Sequence, residues 1–239
     1  MEEDRTLINK LMDELVSLDY RTHSNEYIIK MLEAIGLKRL NWARVLSHSS
    51  ITNMMKNPSE GKTFPNRSFV YKPCDEMDLF IKLCDNFYLP IIFLKSKETH
   101  PKYDKEIYMD YLYVFTSKVT DQTVLYLGKD ILTLLQKKII DQYTRRIRNE
   151  ISSLNMNLLK IDEKKRGLKI RNNIELYHSG ERIESTSYFT HPDRDKNLKN
   201  VIQFIFKKFE GIRIKKEFEK QRNALEEMVA AEEMTENNL

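Results

Sequence analysis

The sequence predicts an α+β, mainly helical protein, and three observations predict it. Apolar residues fall at helical spacing through the amino-terminal segment, two stretches of β-branched and aromatic residues are interrupted by turn formers, and one long segment repeats its apolar residues every seven positions. The same observations divide the chain. Residues 1–95 read as a helical domain, and residues 96–239 as an α+β assembly domain built on a long helix over 131–164 and closed by further helices.

The first element is an acidic, amphipathic helix with Leu7, Leu11 and Leu15 on one face. It has neither the basic start nor the apolar run of a secretory leader. A second helix carries Tyr27, Ile28, Met31, Leu32 and Ile35 on one face and stops at Gly36, a residue that tolerates positive φ. Leu37, Leu40, Ala43 and their neighbours Trp42, Val45 and Leu46 fit a further two to three turns. The polar run Ser47, His48, Ser49, Ser50 then supplies a turn and an N-cap for a third helix. That helix buries Ile51, Met54 and Met55, shows Ser50, Thr52, Asn53 and Lys56 outward, and ends at Asn57 because Pro58 disfavours helical backbone before it. Hydroxyl, amide and amine side chains on such a helix are what base edges and phosphates accept.

The order of these pieces resembles the lambda-repressor and Cro-type helix-turn-helix regulators, over about the first third of the chain. The segment MDLFIKLCDNFYLPIIF, Met77 to Phe93, is similar to that family's last helix, with Leu79, Leu83, Phe87 and Leu89 packing back on the earlier ones. The resemblance implies double-stranded DNA as partner. Ser50, Thr52, Asn53 and Lys56 would then contact bases, and Ser49, Lys62 and Arg67 phosphates. Lys62 and Arg67 belong to a connection, PSEGKTFPNRSFVYKP, that interleaves them and Lys72 with Phe64, Phe69 and Tyr71. Such interleaving suits phosphate contact, and equally a loop whose aromatics cover a core edge while its charges are solvated.

From Ile107 to Lys129 the runs IYMDYLYVF and TVLYL flank the turn-forming TSKVTDQ and predict a β-hairpin, either a wing or a cover over the helical core. Next comes the heptad helix. Ile140, Ile147, Leu154 and Ile161 recur every seven residues, with Thr144, Ile151 and Leu158 at the complementary position. The seam suits a homodimer that brings two amino-terminal readers together, or a helix packed inside its own monomer. A second hairpin is expected over Leu168–Tyr188 around His178, Ser179 and Gly180. His191, Pro192 and Asp193 then open a helix with Val201, Ile202, Ile205, Phe209 and Ile212 on one face, a bend at Gly211, and a charged continuation holding Phe218, Leu225 and Met228.

Bulk properties permit these readings without choosing among them. A hydrophobic content of 41% allows a real core, and 40 Lys and Arg against 36 Asp and Glu leave only +4, so any nucleic-acid contact must use local patches. Cys74 and Cys84 form no metal or CxxC pattern and read as buried thiols of a reducing compartment. No segment approaches the roughly 20 apolar residues of a membrane span, so a soluble cytoplasmic protein is expected. No cofactor or metal is expected. The densest titratable cluster, His178 with Glu175, Glu181 and Glu184, is the place to look for a metal-dependent nuclease, but alternating carboxylates also line the wet face of ordinary strands. The expected function is therefore a non-enzymatic, dimeric, sequence-specific DNA-binding regulator. The rival is a non-catalytic scaffold that binds proteins through its heptad helix.

Overall fold

The computed structural model describes residues 2–19, 22–40, 67–71, 77–96, 101–103, 106–117, 122–161, 167, 169–170, 176–177 and 194–236. Helix α1 (Glu2–Ser17) begins with Glu2, Glu3 and Asp4, whose carboxylates suit the positive end of the helix dipole, and buries Leu7, Ile8, Leu11, Met12 and Leu15. Helix α2 (Asn25–Ala34) is capped by Ser24, whose hydroxyl accepts from the Tyr27 amide at 3.2 Å. It ends as the sequence predicts. Gly36 takes φ +95°, and the amides of Gly36 and Leu37 donate back to the carbonyls of Glu33 and Leu32 at 3.0 and 3.1 Å.

Beyond Gly36, over residues 37–40, the structure departs from the two to three further helical turns expected from Leu37. Leu37 turns into the core, and Lys38–Arg39 form strand β1, parallel to β2 (Ser68–Tyr71). Residues 41–66 lie outside the described residues, and with them the expected third helix. The segment Met77–Phe93 is not a helix. It forms an antiparallel hairpin of β3 (Leu79–Cys84) and β4 (Phe87–Ser96), turning at Asp85 and Asn86, where Asn86 adopts φ 63°. Leu79, Leu83, Phe87 and Leu89 are buried as expected, but by strand alternation rather than helical spacing.

The sheet order is β1-β2-β3-β4-β6-β7, where β6 (Leu112–Ser117) runs parallel to β4 and β7 (Thr123–Leu127) closes the edge antiparallel to β6. The predicted first hairpin is present, as an integral part of this sheet and not as a wing. One sheet thus takes strands from both sides of the expected 95/96 division. Both of its faces are covered, which explains why its strands read as near-continuous apolar runs. Phe69, Tyr71, Leu79, Ile81, Leu89, Ile91, Leu112, Val114, Leu125 and Leu127 face α1, α2 and the start of α5 (Arg194–Glu236). Val70, Phe80, Ile92, Tyr113, Phe115, Val124 and Tyr126 face the other way, under Tyr103, Ile107 and Tyr111. Pro90 sits at a place in β4 that needs no amide on the β6 side, because pairing with β6 begins only at Ile91.

Of the second expected hairpin only Leu176–Tyr177 is described as strand: this β8 joins β5 (Lys102–Tyr103), far earlier in the chain, and the expected turn and returning strand lie outside the described residues. Short helix α3 (Gly128–Ile131) leads into α4 (Leu134–Lys160), slightly inside the predicted 131–164. A Cβ at Gly128 would meet the Tyr108 carbonyl oxygen at 2.0 Å, so only glycine lets the 108–111 turn close against β7. Thr133 and Gln136 cap α4 reciprocally, each side chain bonding the other's backbone amide at 3.2 and 2.9 Å. Helix α5 is one continuous helix of 43 residues, without the predicted bend at Gly211.

Candidate functional site

Of the DNA-contact residues read from the sequence, Ser49, Ser50, Thr52, Asn53, Lys56 and Lys62 lie outside the described residues. Arg67 is described, and its guanidinium pairs with Asp4 at the start of α1, so it ties the first helix to the approach to β2. Two of the aromatics expected beside it, Phe69 and Tyr71, face inward, and Phe64 lies outside the described residues. Phe69 is fully buried, and Tyr71 is buried with its hydroxyl donating to the Asn25 side-chain oxygen at 2.8 Å.

Chemistry-bearing groups are sparse elsewhere. Glu175, His178, Glu181 and Glu184 lie outside the described residues, as does Cys74, and among the described residues no group of three or more His, Cys, Asp or Glu side chains is placed to hold a metal ion. Cys84 is a free thiol at the end of β3. Burial pushes its pKa up to about 11, outweighing the attraction of Lys216, so it is protonated at neutral pH and is a poor nucleophile. Neighbouring Asp85 bonds Lys82 at 3.3 Å and Lys216 at 3.5 Å. Its small desolvation is overcome by Lys82 first and Lys216 second, which lower its pKa.

The unusual surfaces belong to the two long helices. No residue of the 27 in α4 is buried. It is held mainly at its first turns. Lys137 bonds Glu106 at 2.9 Å and Asp141 at 2.8 Å beneath the Tyr108 ring, and these carboxylates outweigh partial burial to raise its pKa. Further along, the Asn155 amide bonds the backbone of Ile170 in both directions, at 2.9 and 2.7 Å. The sequence-predicted seam is turned by these attachments: Ile140, Thr144, Ile151 and Leu158 are half-buried, while Ile147, Leu154 and Ile161 are open, joined by Ile139 and Tyr143. Lys138, Arg145 and Arg148 lie round the other side of the helix, whereas Arg146 borders the stripe and pairs with Glu150 at 3.0 Å.

Helix α5 shows a sharper version of the same condition. Its first half buries Val201, Phe204 and Ile205 against the sheet, with Phe209 edge-on to Phe87 at 5.4 Å. That contact ends at Ile212. The next apolar residue, Ile214, lies about 200° round the helix axis from Ile212, nearly on the opposite side. From there Phe218, Leu225 and Met228 continue a stripe that is 60% or more exposed, at 67%, 63% and 62%. Lys216, on the sheet side, reaches Asp85 at 3.5 Å. The sequence reading names Phe218, Leu225 and Met228 but not the change of side, whose signal is the two-residue step from Ile212 to Ile214 within one helix. Among the described residues, no helix is long and apolar enough to cross a membrane. The chain matches no protein-family description, no curated protein and no solved structure.

Proposed function

We propose that this protein is a non-catalytic assembly protein, a two-faced sheet domain that pairs with a second copy of itself through its long helices. One observation carries the reading: both α4 and the distal half of α5 expose whole apolar stripes along helices that their own core does not cover. Isolated exposed apolar residues are ordinary on a soluble protein, but aligned rows of them mark interaction surfaces. The test is the mass of the full chain in solution by light scattering across a concentration series. A dimer that Ile147→Glu or Leu225→Glu converts to a monomer supports the reading, and a monomer at every concentration refutes it.

The DNA-binding regulator is the second reading, and the basic side of α4 favours it. Lys138, Arg145, Arg148 and Lys160 share one side of that helix, where the carboxylate of Asp141 is taken up by Lys137, leaving a local positive excess suited to phosphate contact. A dimer would present this face twice. Saturable, salt-sensitive binding to duplex DNA, weakened by Asn53→Ala and Lys56→Ala, is its expected result. Binding that neither substitution alters removes the proposed recognition helix.

A further inference from the structure

Two open stripes raise the question of which one joins the copies, and in what orientation. Along distal α5, Ile214, Gln221 and Met228 occupy one core position of a heptad, and Phe218 and Leu225 the other, with Gly211 leading in. All of these residues are exposed, and the stripe points away from the face that α5 packs on the sheet. The residues flanking the stripe sort by charge. Glu210 and Glu217 line one side of it, and Lys215 and Arg222 the other.

In a parallel, in-register pair of helices, a residue on the first flank meets the residue five positions later on the second flank of its neighbour. Glu210 then meets Lys215 of the second copy and Glu217 meets Arg222, and two-fold symmetry gives each pairing twice. An antiparallel pair sets glutamates against glutamates and cations against cations. Helix α4 has no such code. With Tyr143, Ile147 and Leu154 of its open stripe at the core positions, the parallel flanking pairs are Ile139 with Thr144, Arg146 with Ile151 and Ser153 with Leu158, none of them a pair of opposite charges.

We infer that Gly211–Met228 of α5 forms a short parallel coiled coil with the same segment of a second copy. This rests on the assembly reading above and names its interface and direction. The intrahelical pairs Lys215–Glu219 at 3.9 Å and Arg222–Glu226 at 3.4 Å are exposed, so exchanging them for contacts across the pair costs little. The seam spans only two to three heptads, so the dimer is concentration-dependent rather than permanent.

Analytical ultracentrifugation of the full chain tests this, with circular dichroism to show that each variant keeps its helices. Phe218→Glu and Leu225→Glu should give monomers. Glu217→Lys and Arg222→Glu should each weaken dimerisation on the order of tenfold, and the double swap should restore it. In a Cys74→Ser, Cys84→Ser background, Met228→Cys should cross-link to itself under mild oxidation, because only parallel, in-register helices bring the two copies of residue 228 together. A dimer that survives Phe218→Glu and Leu225→Glu but dissolves with Ile147→Glu overturns the inference and leaves the assembly reading standing. A dimer lost with Leu225→Glu whose Met228→Cys form does not cross-link overturns the parallel arrangement. A wild-type monomer at all concentrations overturns both.

Discussion

Helices α1 and α4 carry the same kind of amphipathic pattern and meet opposite fates. In 16 residues α1 buries five side chains beneath the sheet, whereas α4 buries none in 27. An apolar stripe therefore states that a helix has a partner surface to satisfy, not that the surface lies in the same chain. The difference is set by neighbours. Strands with both faces apolar leave room for three helices on one side, and α1, α2 and the first half of α5 fill it.

The largest effect expected from this contrast is a pair of matched truncations read by urea unfolding at low protein concentration. Leu11→Ala in α1 should cost about 2–5 kcal/mol, through lost transfer energy and the cavity left behind. Ile147→Ala in α4 should stay within about 0.5 kcal/mol of the parent chain. Equal losses at the two positions would break the comparison. Next in size, Gly128→Ala should cost about 1–3 kcal/mol, because backbone and not a flexible side chain blocks the new methyl group. An unchanged midpoint there would show that the 108–111 turn lies outside the cooperative body.

A smaller effect compares the caps. Ser24→Ala removes the acceptor for the Tyr27 amide and should lower stability by about 1 kcal/mol, since α2 packs on the core. Thr133→Ala breaks an equivalent cap on α4 and should instead appear as faster amide exchange in that helix's first turn, with a smaller shift of the global midpoint. The finest probe sits where distal α5 leaves the body. In a Cys74→Ser chain, alkylation of Cys84 should rise with pH around a midpoint near 11, and Lys216→Ala should move that midpoint further up by removing a cation that favours the thiolate. The sign for stability follows: a thiol pKa raised on folding contributes fully below the ordinary thiol pKa, and the contribution fades as pH climbs from there through about 11. An alkylation midpoint in the ordinary thiol range would show that this corner is open to water.

How legible the molecule is in its sequence depends on how much of each pattern is local. The α2 boundary is readable because Ser24 and Gly36 act within a few residues of where they stand. So is the hairpin of β6 and β7, with its turn formers between aromatic runs. The β3–β4 segment misleads because burial on both faces erases alternation, leaving Leu79, Leu83 and Phe87 at spacings that a helix also allows. Asp85-Asn86 and Pro90 are the corrective signals, a turn and a residue unsuited to a helix interior. The pairing of β5 with β8 joins residues more than seventy positions apart, and nothing near Lys102 announces Leu176. For the candidate surface, the seven-residue repeat of α4 is visible in the sequence. Which part of it stays open is decided by Lys137 and Asn155, through Glu106 and Ile170 outside the helix.

The unbroken backbone of α5 through Gly211 also makes it a lever arm. Its 24 residues beyond Ile212 extend about 36 Å at the usual rise per residue. Anchored by Val201 and Ile205 at one end, it converts a tilt of about 5° at the sheet into a displacement of about 3 Å at its tip.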